Sequence, residues 1–127
     1  MTGRVTGRLT ARGKAQPARL WIRVLTPSGG RIGPGMIALL KAVDAEGSIA
    51  AAARALDMSY RRAWLLLEQA KDALGAPVIE TSIGGAEKGG ARLSESGARL
   101  IALYDRIEEG ANAAVAGELE QLFSGGS

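Results

Sequence analysis

A chain of 127 residues, 46% of them hydrophobic, has room for one modest core and not for two. It contains no cysteine and no histidine, which excludes disulfides, thiolate nucleophiles, histidine-assisted triads and zinc sites of the usual nitrogen–sulfur kind. The formal charge is only +3, but Arg4, Arg8, Arg12, Lys14, Arg19, Arg23, Arg31 and Lys41 all precede the first acid, Asp44.

From Asp105 onward the balance reverses, with Asp105, Glu108, Glu109, Glu118 and Glu120 against Arg106 alone. A basic front and an acidic tail suit a polyanion at the front. The plainer alternative is a soluble chain with a solvated basic leader. No apolar run approaches the roughly 18 residues of a membrane span, and the basic N-terminus leads into no signal-type apolar core. The expectation is a soluble, cytoplasmic protein.

Residues 1–18 are rich in Gly, Thr and Arg with little periodicity and are expected to form a mostly disordered basic arm. The stretch "LWIRVL", Leu20 to Leu25, is apolar and β-branched enough for a strand. "TPSGGRIG" then reads as a turn-rich connection. Pro34 suits the first position of a helix with Gly33 as its N-cap. Met36, Leu39, Leu40 and Val43 give that helix one buried face, and Gly47 stops it. Ser48 can cap a second, alanine-rich helix carrying Ile49, Ala52, Ala53 and Leu56 inward. After the turn "DMS", Ser59 can cap a third, with Ala63, Leu66, Leu67, Ala70 and Leu74 as its stripe and Gly75 with Pro77 as its end. Two helices joined by a short turn, with another packed behind, form a helix-turn-helix, here over 48–74.

"VIETS", "IGGAEKGG" and "ARLS" read as two short β pieces flanking a glycine-rich basic loop, a hairpin over 78–93. A helix-turn-helix followed by such a hairpin is a winged helix, so 19–127 is expected to be one mainly α domain with a small β-hairpin. Ser94 can cap a last long helix over 94–123. It carries Leu100, Leu103, Tyr104, Ile107, Val115, Leu119 and Leu122, then Phe123, a longer apolar stripe than a small domain needs. A partner subunit would cover it, so these residues are assigned to dimerisation. "SGGS" closes the chain as a frayed tail.

The stretch "MSYRRAWLLLEQ", residues 58–69, holds two of the few aromatics around adjacent arginines. On a helical wheel Arg61, Arg62, Leu65, Glu68 and Gln69 point away from the inward stripe, and Tyr60 and Trp64 lie on a flank. The N-terminal end of a second helix-turn-helix helix enters the major groove, which favours Ser59 to Arg62 and Leu65 as DNA contacts. Arginine can pair bidentately with guanine, Leu65 can touch a thymine methyl, and the Ser59 and Tyr60 hydroxyls suit phosphates. A merely solvated face is the bland explanation. It is weakened by position, because cations at a helix start oppose the macrodipole. The loop "IGGAEKGGA" fits neither the dinucleotide nor the P-loop pattern. It is either a plain flexible loop or a wing that lays Lys88 and backbone amides along the DNA backbone, without sequence preference. The carboxylate pairs Asp44/Glu46 and Glu108/Glu109 have no pocket-forming segment around them, so no enzyme, metal or cofactor is expected.

"GSIAAAARALDMSYRRAW" followed by "IETSIGGAEKGGARLSESGARLIALYD" closely resembles the N-terminal DNA-binding domain of the ModE family of molybdate-responsive transcriptional regulators. It more loosely resembles the LysR-type helix-turn-helix. The likeness runs from about Leu20 to about Glu109. It implies a winged-helix homodimer on a palindromic operator in double-stranded DNA. It carries the reader role onto Ser59, Tyr60, Arg61, Arg62 and Trp64, and the wing role onto Gly84, Gly85, Lys88, Gly89 and Gly90. Two departures stand out. Glu87 sits in the wing, where family members are commonly richer in glycine. Only about twenty residues follow the matched region, so the family's molybdate-binding domains, and molybdate binding itself, are not expected. The expected function is a sequence-specific, homodimeric transcriptional regulator. The alternative is an interaction module that heterodimerises with a full-length regulator and titrates it.

Overall fold

The computed structural model describes residues 16–82 and 89–124. The expectations for most of the basic arm, for the wing tip and for the last residues lie outside that range. The chain divides into two units. Trp21–Glu109 is one, and the residues before Trp21 together with those from Gly110 onward are the other.

Trp21–Glu109 opens on a hairpin rather than on a single strand. β1 (Val24–Leu25) pairs antiparallel with β2 (Arg31–Ile32), Val24 opposite Ile32 and Leu25 opposite Arg31. Thr26 N donates to Gly30 O and Gly29 N to Thr26 O, both at 2.9 Å, and the Thr26 hydroxyl accepts from Gly30 N. The strand expected over residues 20–25 therefore shrinks to its last two, and the expected connection supplies the second strand. The reason is that the partner strand runs out: in this register Ile22 would face Pro34, which has no amide hydrogen and starts the next helix, and the Ile22 carbonyl accepts the Tyr104 hydroxyl at 2.5 Å.

Three helices follow with the boundaries that caps and stops dictate. α1 (Pro34–Glu46) starts behind Gly33 and ends at Gly47, whose φ of 82° is left-handed and whose amide bonds Val43 O. α2 (Ile49–Ala55) is capped by Ser48, which accepts from Ala51 N at 3.0 Å. α3 (Tyr60–Leu74) is capped by Ser59, which accepts from Arg62 N at 3.0 Å, and ends at the left-handed Gly75. Between α2 and α3 the backbone turns on Asp57, which adopts φ 57°. Aspartate is among the few non-glycine residues that tolerate that region. Leu39, Leu40 and Val43 of α1 are fully buried with Ala52, Ala63 and Ala70. The alanines leave no bulk between axes, so the helices of the turn pack closely.

β3 (Ile79–Ser82) and β4 (Gly90–Leu93) form a second antiparallel hairpin, with Ile79 opposite Leu93 and Ser82 opposite Gly90. Ala91 N donates to Gly47 O at 2.8 Å, which ties the hairpin to the link between α1 and α2, and Ser94 N donates to Val78 O at 2.9 Å, which closes the base of the hairpin itself. α4 (Glu95–Ala114) begins at Ser94, whose hydroxyl accepts from Gly97 N at 3.0 Å and donates to Pro77 O at 2.7 Å. Gly97 is required here: a Cβ would stand 2.1 Å from the Val78 carbonyl oxygen. Helices α1 to α3, a hairpin and a further helix, in that order, make the mainly α winged-helix architecture.

The single helix expected over 94–123 is interrupted. Val115 leaves helical geometry at φ −116°, ψ 19°, and α5 (Ala116–Phe123) starts after it. A β-branched residue followed shortly by Gly117 makes a weak helical segment, with little packing to hold it straight. In this second unit Asn112 grips the Leu20 backbone, accepting from Leu20 N at 2.6 Å and donating to Leu20 O at 3.4 Å. No helix among the described residues is long and apolar enough to cross a membrane.

Candidate nucleic-acid interface

The N-terminal end of α3 separates two kinds of side chain. Ala63, Leu67 and Ala70 are buried on one side, and Leu66 is partly buried beside them. Arg61, Arg62, Leu65, Glu68 and Gln69 are exposed on the other, as the helical wheel requires. Leu74, assigned to the inward stripe, is instead exposed at the helix end. Among the described residues neither Arg61 nor Arg62 is ion-paired. The first turn holds no acid, so both guanidinium groups stand uncompensated at the positive end of the helix.

Tyr60 and Trp64 divide their roles. Tyr60 is 52% exposed, whereas Trp64 is partly buried against the core. Their rings meet edge to face, with centroids 6.3 Å apart and planes at 76°. Trp64 therefore braces Tyr60 and the helix start from the core side. Ser59 is committed as an acceptor to the Arg62 amide, but its own hydroxyl proton remains available to an outside acceptor.

Of the wing residues, Gly84, Gly85 and Lys88 lie outside the described residues. Gly89 is exposed with φ 80°. Gly90 is partly buried, and a Cβ there would come within 3.2 Å of Ser82 Oγ and 3.5 Å of Gly47 O. Its missing side chain lets β4 lie against the link between α1 and α2. On the hairpin's other face Arg92 Nε donates to Glu80 Oε1 at 3.1 Å across the strands, a pair the sequence reading missed. The signal was available in the register, because Glu80 and Arg92 must be opposite once Ile79 faces Leu93.

The dimerisation stripe needs correction. Leu100 and Tyr104 are buried in the core of Trp21–Glu109, and the Tyr104 hydroxyl is bonded to Ile22 O. Neither can face a partner. Helical periodicity groups them with Leu103 and Ile107, but it does not say which part of a broad stripe the chain's own core consumes. Leu103 and Ile107 are exposed, as are Leu122 and Phe123, while Val115 and Leu119 are partly buried. Trp21 and Leu25 are also exposed, at 74% and 77%, and were not foreseen as surface residues.

No family model matches this chain. It is similar to several curated proteins. It is 44% identical over 87 residues to the molybdenum-pterin-binding protein MopB of Rhodobacter capsulatus, a stretch covering 68% of this chain and 32% of that protein. It is 32% identical over 83 residues to the molybdenum transport protein ModE of Azotobacter vinelandii, covering 65% and 31%. It is 36% identical over 76 residues to the DNA-binding transcriptional dual regulator ModE of Escherichia coli (strain K12), covering 60% and 29%. These relatives support the likeness to the ModE family. The chain spans roughly a third of the length of the curated relatives it matches.

Proposed function

We propose that this chain is a DNA-binding module of a ModE-type transcriptional regulator. It binds double-stranded DNA as a homodimer, with the start of α3 in the major groove and the glycine-rich wing on the backbone. The observation that carries the reading is the pair Arg61 and Arg62, exposed and uncompensated at the positive end of a capped helix. Helix stability disfavours cations there; base and phosphate recognition makes use of them. Arg61 and Arg62 read base edges, Leu65 meets a thymine methyl, and Ser59 and Tyr60 donate to phosphates. Trp64 positions the helix start. Gly84, Gly85, Gly89 and Gly90 allow close backbone approach at the wing, and Lys88 neutralises a phosphate.

The homodimer is supported by exposed apolar side chains, Leu103 and Ile107 in one unit and Leu122 in the other, with Val115 and Leu119 partly covered beside Leu122. A two-fold dimer on a palindrome sets its two α3 helices about 34 Å apart.

Selection of bound duplexes from a random pool, followed by titration of the selected site, tests the reading. Arg61→Ala and Arg62→Ala each weaken the selected site and relax its base preference. Unchanged affinity and footprint in both variants would remove the reader assignment. Light scattering on Leu103→Glu and Ile107→Glu tests the dimer: monomers are expected.

A further inference from the structure

We infer that Arg92, on the stem of the second hairpin, is an additional phosphate contact, and that the charge of Glu80 opposite it weakens the hold on DNA. The inference rests on the DNA-binding reading above. The hairpin alternates: Ala91 is buried and Ile79 and Leu93 pack on the core, which turns Glu80 and Arg92 to the other face. Their side chains are 54% and 80% exposed, and an ion pair so exposed contributes little to folding.

The bond between them uses only Arg92 Nε. The two terminal amines have no partner among the described residues, and together they present the planar fork that suits a phosphate. Arg92 borders an open cleft of about 470 Å³ whose lining also includes Thr81, Ser82 and Gly47. Gly47 immediately precedes the cap of α2, the first helix of the helix-turn-helix. In that motif's docking geometry the first helix crosses the DNA backbone. The cleft therefore opens where a sugar-phosphate strand passes, and the Ala91 N to Gly47 O bond at 2.8 Å holds its two walls in register.

Glu80 acts in two opposed ways. Its oxygen fixes the guanidinium by Nε, and its negative charge repels the phosphate that the terminal amines attract. Glu80→Gln keeps the acceptor and removes the charge, so the two effects can be separated.

Fluorescence anisotropy with a duplex of random sequence, titrated between about 50 mM and about 200 mM salt, decides the matter. Arg92→Gln is expected to weaken binding and to make the slope of log affinity on log salt shallower by about 0.9, the value for one phosphate. Its affinity loss across that salt range then shrinks by about 3.5-fold. Arg92→Lys keeps the slope, and Glu80→Gln binds more tightly than the parent. A parental slope and affinity in Arg92→Gln, checked as folded by its thermal melt, overturns the phosphate contact. Failure of Glu80→Gln to tighten binding overturns the role given to its charge. If the parent protein binds no duplex at all, it is the DNA-binding reading that falls.

Discussion

α3 and α4 begin alike and then diverge. Each is capped by a serine, Ser59 or Ser94, whose hydroxyl accepts the amide three residues on at 3.0 Å. After Ser94 the first turn is Glu95, Ser96 and Gly97, an acid at the positive end and a glycine where a backbone carbonyl crowds in. Every feature there serves the fold. After Ser59 the turn is Tyr60, Arg61 and Arg62, with no acid and with both cations in solvent. The same local machinery that makes the α4 start stable is set against its neighbours at the start of α3. A helix end that departs from its own electrostatic preference is a place to look for a ligand.

The largest effect is expected at Gly97. Gly97→Ala forces a methyl into the Val78 carbonyl and is expected to lower stability by about 3 kcal/mol, measured by urea unfolding. Arg62→Ala should cost about 2 kcal/mol in affinity for a selected duplex, while the urea midpoint stays level or rises. A matching loss of stability would make Arg62 a structural residue and end the contrast. Ser94→Ala removes a cap and the donor to Pro77 O together, for about 1.5 kcal/mol of stability by thermal melt. The smallest effects sharpen the point by their signs. Arg61→Glu should stabilise by about 0.5 kcal/mol and Glu95→Arg should destabilise by a similar amount, both at low salt.

Much of this was legible because it is local. Serine before an apolar run, glycine after it and the 3.6 period located α1, α2 and α3 and the exposed arginine face. The second hairpin was legible from its glycine-rich loop between β-forming stretches. What escaped depends on residues far apart in sequence. Tyr104 reaches Ile22 and Asn112 reaches Leu20, and these bonds hold the part of "LWIRVL" that finds no partner strand. Nothing near position 20 announces a tyrosine hydroxyl contributed by residue 104.

Local sequence was enough to place α1, α2 and α3, their ends and the charged face of α3, because caps, left-handed glycines and periodicity act within a few residues; it did not foresee the break at Val115. How the long apolar stripe is divided depends on the folded chain. Leu100 and Tyr104 are covered by the chain's own core, while Leu103 and Ile107 stay exposed. A hydrophobic side chain carries the same tendency to leave water wherever it stands. What buries it is set by the segments folded around it.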